Sequence, residues 1–347
     1  MAKMRPELSL ISIIFMLLVI FIHVVAECVD GYLVSSVQFI VACSLHRLAS
    51  FVVQGFIFLS GIKLFLGFKD KFSLGKFYLS RLMRVIIPYF VAFSLFYIYF
   101  ILTGAISPSL THFIKELLTG GLVGHFYFVP IICQFYLLMP LWRLLYRRGN
   151  AIVVILASLI IMILCKEYLP VIVKALFNYE MKFNSRLFTY YLFYFIAGVF
   201  AGKYYDKFIV FIGKFKLWTV SAAVLVGLVD CGLICVIRRG IYYPTWAENW
   251  HVLYCTAAIL STFAVILALR NVKIADKKFI SLLDSASYNV YLIHPLFIFF
   301  IDSVSNNLGI TSLTIRFIIK GVFTVVFAIF GCVLIELAKR KIHKTTK

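Results

Sequence analysis

Two histidines lie within strongly apolar runs, where an ionisable side chain is costly and marks a candidate functional site. His23 lies near the end of the first run; His294 precedes Pro295 and follows Tyr288 and Tyr291 at intervals of three. Histidine is the usual general acid or base near neutral pH, so both are candidate catalytic residues. The structural alternatives are a hydrogen bond from His23 to a neighbouring helix, and a polar stripe around His294 that binds another helix.

A third histidine, His125, stands directly before Phe126, Tyr127 and Phe128 at the start of another apolar run. Aromatic side chains concentrate at membrane interfaces, which accounts for the three rings but leaves the histidine unexplained. His125 is therefore the third candidate catalytic residue.

Cations in two segments have the chemistry of a phosphate site. Arg81 and Arg84 are three positions apart, a spacing that places both guanidinium groups on one face of an α-helix. Guanidinium groups form paired hydrogen bonds to phosphate oxygens, so this pair predicts a phosphate clamp. The alternative is ordinary anchoring of a cytoplasmic loop. For Lys63, which follows Ser60 and Gly61 in an apolar run, the alternative is a side chain that extends to the inner interface.

Further charged residues fall inside apolar runs: Asp230, Asp302, Arg316, Lys320 and Glu336. We expect Asp302 to form an ion pair with Arg316 or Lys320, because these residues come from the last two runs. Lys320 and Glu336 are too far apart along one helix to pair with each other.

The cysteines give no sign of a metal site. Most of the 8 cysteines lie in apolar runs, where Cys packs as a small apolar residue. Cys231 and Cys235 have helical i, i+4 spacing, but no cluster of histidines or carboxylates accompanies them, so we expect no metal.

The elements that must position these residues are set by the composition. The 347 residues are 63% apolar and 14% charged, whereas soluble proteins are about 45–50% apolar and about 25% charged. This balance excludes a soluble enzyme, a secreted disulfide-rich module and a disordered chain.

Continuous apolar runs of about 20 residues predict membrane-spanning helices rather than the alternating strands of a barrel. Ten spans are predicted, at 8–26, 48–68, 86–104, 126–146, 151–165, 187–202, 217–237, 252–269, 287–304 and 313–337. Residues 33–45 form a further apolar run, which extends the second helix or lies at the interface.

The positions of the cations give the orientation. The net charge is +20, and with ten spans most of the 34 lysines and arginines fall on the side that holds both termini. The excess of cations on the cytoplasmic side of membrane proteins then predicts cytoplasmic termini. The predicted cytoplasmic cations include Lys3, Arg5, Lys69, Lys71, Arg81, Arg84, Arg143, Arg147, Arg148, Lys203, Arg270, Lys273 and Lys347. Short basic loops that face lipid headgroups do not indicate a nucleic-acid partner. We expect one transmembrane domain over 1–347, without a separate soluble domain.

The chain resembles the acyltransferase-3 family of bacterial integral membrane proteins in a series of motifs, which occur in the same order over nearly its whole length. The resemblance rests on an apolar first helix that ends in His23, the aromatic segment 56–61 with Ser60-Gly61, Arg81-x-x-Arg84 followed by Pro88, His125 with its aromatic residues, and the run Ser287 to Pro295. Where the family often has a basic residue eleven positions before the first-helix histidine, this chain has Ser12, and Ser9 stands where an acidic residue is common. Arg5 is a candidate substitute for the basic residue.

The resemblance implies transfer of an acyl group, commonly acetyl, from cytoplasmic acyl-CoA to a sugar hydroxyl outside a bacterial plasma membrane. It makes His23 the candidate base, with His294 and His125 as further catalytic candidates. It places Arg81 and Arg84 on the acyl-CoA side, and we group Ser60 and Lys63 with them. The acyl-CoA is a co-substrate rather than a bound cofactor, and the acceptor is a polysaccharide, a cell-wall polymer or a lipid-linked sugar.

One difficulty and two alternatives stay open. His23 is predicted in the outer half of its span, whereas the CoA phosphates belong near Arg81, so either the pantetheine arm reaches inward or a covalent acyl-protein stage bridges the depth. A glycan or lipid-linked sugar exporter is the first alternative, although the sequence shows no internal repeat of the kind common in transporters. A structural membrane subunit is the second, and it has no need of three histidines in or at the spans.

Overall fold

The computed structural model describes residues 5–68, 72–269 and 276–345, and in these residues the only regular secondary structure is helical. The predicted cytoplasmic cations Lys3, Lys69, Lys71, Arg270, Lys273 and Lys347 lie outside this part of the chain. Fifteen α-helices follow one another as α1 (Pro6–Gly31), α2 (Val37–Ala49), α3 (Val52–Phe65), α4 (Leu74–Arg81), α5 (Ile87–Leu102), α6 (Leu110–Thr119), α7 (Phe128–Leu137), α8 (Met139–Arg148), α9 (Ala151–Phe177), α10 (Leu192–Lys203), α11 (Tyr205–Lys214), α12 (Lys216–Arg238), α13 (Ala247–Ala268), α14 (Lys277–Asn307) and α15 (Leu313–Thr345).

Eight helical segments of the described chain are long and apolar enough to cross a membrane, and a bent pair raises the number to nine. The bent pair, Leu110–Thr119 with Gly124–Leu137, has an angle of 59°. The protein is therefore an all-α, multi-pass membrane protein, as expected. The count of ten spans and the cytoplasmic termini stay predictions.

Two predicted spans differ from single long helices. The span predicted at 126–146 is divided at Leu138 into α7 and α8, and Pro140 at the start of α8 has no N–H to continue the preceding helix. The span predicted at 187–202 begins with a 3-10 helix, Phe188–Tyr191, and continues as the 12-residue helix α10. Apolar composition alone did not reveal these breaks, because an apolar run has the same appearance whether its helix is continuous or interrupted.

The second predicted span begins earlier than the apolar run at 48–68. Helices α2 and α3 together form the candidate span Val37–Phe65, so residues 33–45 mostly belong to an extension of the second helix, one of the two options that the sequence left open. Ser36 caps the start of α2 by accepting a hydrogen bond from the backbone N–H of Phe39 at 3.1 Å.

The chain divides into two compact units. The first comprises Met1–Phe56 with Asp206–Lys347, and the second comprises Ile57–Tyr205. The expectation of a single transmembrane domain over the whole chain stays a prediction. Six of the candidate residues for acid–base or ion-pair chemistry lie on the longest helices of the first unit, α1, α14 and α15: His23, His294, Asp302, Arg316, Lys320 and Glu336.

Helix α1 is the central element of the first unit. On one side Met16 and Val24 pack against Val290 of α14 and Ala328 of α15. On another side Val25, Cys28 and Val29 meet Phe39, Ala42 and Cys43 of α2. Small residues at these contacts let the helix backbones approach closely, which is how helices associate when lipid removes the hydrophobic driving force.

In the second unit, glycines bring α3 and α10 into backbone contact. A Cβ atom on Gly198 would collide with the carbonyl oxygen of Phe58, and one on Gly61 would lie 2.5 Å from the carbonyl oxygen of Phe195. Gly202 lies one turn further along α10, where a Cβ atom would be 2.9 Å from the carbonyl oxygen of Ile62. Only residues without a side chain permit this approach, so the three glycines set the position of α3, which also carries Ser60 and Lys63.

We expect Gly198→Ala to destabilise the protein by about 1–3 kcal/mol, the usual cost of overpacking a well-packed contact. The matched control is Gly232→Ala on α12, because a Cβ atom there meets nothing within 4 Å and alanine is the better helix former. Thermal unfolding in one detergent compares the two. An unchanged unfolding temperature for Gly198→Ala would contradict the close helix contact.

Candidate functional site

His23 and His294, which are 271 positions apart in the sequence, form a pair of imidazole rings in the first unit. Their ring centroids are 5.2 Å apart and the ring planes are inclined by 44°. His23 is half-buried on α1, and His294 is fully buried on α14. The structure thus brings together two of the three histidines that the sequence singled out, one from each end of the chain.

Pro295 explains how His294 is held. In a regular helix the N–H of residue 295 would donate to the carbonyl oxygen of Tyr291, but proline has no N–H. His294 Nδ1 lies 2.8 Å from that carbonyl oxygen. Because a carbonyl oxygen only accepts, Nδ1 must carry the proton, and the neutral ring then presents Nε2 as its basic nitrogen. The histidine–proline pair therefore fixes both the orientation and the tautomer of the ring.

Four charged side chains form a closed network beyond the histidine pair. Arg316 forms an ion pair with Glu27, with Nε 2.9 Å from the carboxylate, and Arg316 Nη2 donates to Asp302 at 2.9 Å. Lys320 bonds to the same two carboxylates, with Nζ 2.5 Å from Asp302 and in direct contact with Glu27. Two negative and two positive charges balance, and the Lys320 side chain is only 2% exposed. Buried charges of this kind are tolerated because each one is paired.

The network joins α15 to α1 and α14, the two helices that carry the histidine pair. Glu27 lies one turn beyond His23 on α1, Asp302 lies two turns beyond His294 on α14, and both cations come from α15. The expected pairing of Asp302 with the last helix is confirmed. The part played by Glu27 was missed, because the sequence shows only an acidic residue near the end of the first span.

At the other end of α1, hydrogen bonds replace the charges expected from the family pattern. Ser9 Oγ donates to Asp284 Oδ2 of α14 at 2.8 Å, so an acidic group is present beside position 9 although it comes from another helix. Ser12 is buried and donates to the Leu8 carbonyl oxygen in its own helix. Arg5, the candidate substitute for a basic residue, forms an exposed ion pair with Asp206 at 3.0 Å.

The second unit contains a group of cations against aromatic rings. The Arg81 guanidinium carbon is 5.1 Å from the ring centre of Phe77 and 5.3 Å from that of Tyr136. Arg143 lies over Phe72 at 5.7 Å, and Lys203 Nζ lies 4.9 Å from the ring centre of Tyr146. Guanidinium and ammonium groups on aromatic faces are attracted by the ring electrons, and they retain hydrogen-bond donors for an anion. The three cations with their four rings are called the cation–aromatic cluster below: Arg81, Arg143, Lys203, Phe72, Phe77, Tyr136 and Tyr146.

The two arginines of the predicted clamp have different environments. Arg81 is half-buried at the end of α4, whereas Arg84 is exposed within a π-helical turn, Leu82–Ile86. The prediction that both guanidinium groups share one face assumed α-helical geometry. A π-turn has more residues per turn, so a separation of three positions no longer brings side chains as close to alignment.

Ser60, Lys63 and His125 also belong to the second unit. Ser60 is half-buried beside the tightly packed Gly61, and Lys63 is exposed in the last turn of α3. His125 is buried in a short 3-10 helix, with its ring centre 4.2 Å from that of Phe126 and 5.9 Å from that of Phe96. The structure thus places His125 among aromatic rings of the second unit, whereas the paired histidines belong to the first.

Another histidine in the first unit, His251 on α13, was not identified from the sequence. Its Nδ1 atom lies 2.8 Å from Asp230, which the sequence marked only as a charge inside a span. Arg47 of α2 completes the group with two hydrogen bonds to the same carboxylate. The missed signal was the combination of one buried acid with a histidine in the next span.

Comparison with known proteins gives one result that covers most of the chain. The model of an acyltransferase domain family matches residues 5–337. No significant match is found among curated proteins or among solved structures. The matched region contains every candidate site residue described above.

Replacement of Lys320 by methionine is expected to destabilise the protein by about 3 kcal/mol, because Glu27 and Asp302 would lose a buried partner. The value is at the low end for buried pairs, since these carboxylates retain some exposure. Lys174→Met is the control, because the Lys174–Glu180 pair is exposed on both sides and such pairs contribute little. Equal unfolding temperatures for the two variants would refute a stabilising role for the network.

Proposed function

The chain belongs to the acyltransferase-3 family, and we propose that this membrane acyltransferase carries an acyl group from cytoplasmic acyl-CoA to a hydroxyl of an extracytoplasmic glycan or lipid-linked sugar. The acyl group is acetyl and the membrane is the bacterial plasma membrane. The observation that carries the proposal is the His23–His294 pair, with the tautomer of His294 set by Tyr291. Family membership favours this reaction over export of a glycan without acyl transfer.

In the proposed reaction His23 is the general base. It removes the proton from the acceptor hydroxyl as the oxygen attacks the acyl carbonyl carbon. When the tetrahedral intermediate collapses, the bond to the leaving group breaks and the proton passes to that group. His294 stays neutral beside it, because full burial disfavours a charge on its ring, and a neutral neighbour avoids charge repulsion when His23 becomes protonated.

The donor side is assigned to the cation–aromatic cluster of the second unit. Acyl-CoA carries several phosphate charges and a planar adenine ring. Arginine is well suited to bind phosphate oxygens, and aromatic rings stack on nucleobases. Arg81 and Arg143 supply the donors, with Phe72, Phe77 and Tyr136 as the rings. Arg84, Ser60 and Lys63 are kept as further candidates for this function.

We expect His23→Ala to lower product formation at least about 100-fold, the contribution of a typical general base. The measurement uses purified protein in nanodiscs with labelled acetyl-CoA and a lipid-linked oligosaccharide, and follows labelled product over time. His112→Gln on α6 is the control, because it changes a histidine outside the proposed site. Full product formation by the His23 variant, correctly inserted and folded, would remove this histidine from the reaction.

Arg81→Gln is expected to raise the KM for acetyl-CoA about tenfold, since a hydrogen bond to a charged group contributes about 1.5–3 kcal/mol. With acetyl-pantetheine, which lacks the nucleotide and its 3′-phosphate, the same variant should differ little from the wild type. Arg148→Gln, at the end of α8, is the matched control. An equal change for both donors would show that Arg81 does not bind the nucleotide portion.

A further inference from the structure

Asp230, His251 and Ser50 form a hydrogen-bonded chain in the first unit that the proposed reaction does not use. Asp230 Oδ2 lies 2.8 Å from His251 Nδ1, and His251 Nε2 lies 3.2 Å from Ser50 Oγ. Asp230 is fully buried on α12, His251 is 7% exposed on α13, and Ser50 is half-buried at the break between α2 and α3. An acid, a histidine and a hydroxyl in this order are the arrangement that activates a serine nucleophile.

The charge on Asp230 fixes the tautomer of His251. Arg47 donates to both oxygens of the Asp230 carboxylate, at 2.9 and 3.1 Å, and this bidentate pairing keeps the acid ionised. An ionised carboxylate only accepts hydrogen bonds, so the proton of neutral His251 is on Nδ1. Nε2 is then the basic nitrogen, and it is the atom that faces the Ser50 hydroxyl.

The Ser50 proton has two acceptors within reach. Ser50 Oγ is 2.7 Å from the carbonyl oxygen of Arg47 and 3.2 Å from His251 Nε2. The carbonyl oxygen can hold the proton in place but cannot remove it. His251 can remove it, so a rotation of the hydroxyl converts a helix-end contact into a serine–histidine pair.

Neighbouring charges favour the protonated histidine that this transfer would create. Besides Asp230, the Glu248 carboxylate lies 3.6 Å from Arg47. Asp230 and Glu248 carry two negative charges and Arg47 carries one positive charge, so the group has a net charge of −1 while His251 is neutral. An imidazolium formed on His251 therefore balances the group instead of adding a surplus charge.

An open apolar groove of about 350 Å³ is lined by sequence neighbours of the three hydrogen-bonded residues. Its lining includes Leu48 and Phe51, on either side of Ser50 in the sequence, and Cys231, which follows Asp230. Tyr254, one turn beyond His251, is also part of the lining. Apolar walls of this kind suit an acyl group.

Cys255 is the competing nucleophile, because its sulfur lies 3.3 Å from the same nitrogen of His251. It is 0% exposed, however, whereas Ser50 retains exposure at a helix break. A thiol without access cannot receive a group from a bound donor. The geometry therefore favours the serine.

We propose that Ser50 is a second acyl-transfer site, which carries the acyl group as an ester between donor and acceptor. The inference rests on the proposed function, since the acyl-CoA of that reaction is the co-substrate here. His251 takes the Ser50 proton as the oxygen bonds to the acyl carbon and the carbon–sulfur bond breaks, and the proton leaves with the CoA thiol. In the second half-reaction His23 removes the proton from the acceptor hydroxyl, which attacks the ester. The bond between Ser50 and the acyl carbon breaks, and the proton that His23 took passes to the Ser50 oxygen.

An acyl ester on Ser50 accounts for the predicted difference in depth between His23 and the acyl-CoA phosphates near Arg81. A donor on the cytoplasmic side and an acceptor outside need not be aligned at one moment if the protein holds the acyl group between the two steps. His251 then serves the first step and His23 the second. Asp230 and Arg47 are positioning residues, because they act through His251.

The test incubates purified protein with labelled acetyl-CoA alone and locates the label by mass spectrometry of peptides. We expect one acetyl ester on Ser50 and one equivalent of CoA released, and His23→Ala should accumulate this ester without making product when lipid-linked oligosaccharide is added. Ser50→Ala should lose both ester and product. Ser50→Cys should form a thioester, which neutral hydroxylamine cleaves while the serine ester persists.

Cys255→Ala is the matched control, and it should keep the label on Ser50. Label on Cys255 in the wild type, or full turnover by Ser50→Ala with no ester in any variant, would overturn the inference while leaving the proposed function intact. A wild-type protein that makes no product and releases no CoA would instead refute the proposed function itself. Ser50→Cys also covers the case in which the alanine variant fails to fold.

Discussion

A charge inside a lipid-solvated helix must find a partner, and much of the first unit can be understood from this constraint. Glu27, Asp302, Arg316 and Lys320 form ion pairs with one another, and these pairs join α1, α14 and α15. In water such pairs contribute little, because solvent screens them. Away from water, loss of one partner leaves an unpaired buried charge, so the same four residues stabilise the packing of the three helices.

The histidine pair depends on a second consequence of the same solvent. Lipid offers no hydrogen bonds, so the carbonyl group of Tyr291, deprived of its usual donor by Pro295, must be satisfied from within the protein. His294 provides the donor and loses its rotational freedom as a result. The missing backbone hydrogen bond at Pro295 thus orients the His294 ring and leaves Nε2 as its basic nitrogen.

His251 has the same chemical arrangement with a different partner. In both cases an acceptor fixes the proton on Nδ1, a backbone oxygen for His294 and the Asp230 carboxylate for His251. The consequences differ, because only the carboxylate adds a negative charge that stabilises a protonated ring. His251 is therefore placed to take a proton from Ser50 during formation of an ester. His294 is suited to stay neutral next to a base.

The sequence by itself determined the class of the protein. Apolar composition is a property of each residue, so the membrane helices were predictable without a fold. The order of motifs along the chain was sufficient to predict the family and to select His23 and His294 as candidates. The Asp302 ion pair was also predictable, because its partners come from consecutive helices. Each of these inferences needs only local information or the order of motifs along the chain.

The tertiary structure alone decided which residues meet. Nothing local connects His23 with His294, Ser9 with Asp284 or Ser50 with His251, because these contacts depend on how helices distant in the sequence pack. The π-turn that separates Arg84 from Arg81 and the break at Leu138 were likewise invisible, since a change in helical hydrogen bonding leaves the apolar pattern unaltered. Residue types supplied the chemistry, and packing selected the combinations that can perform it.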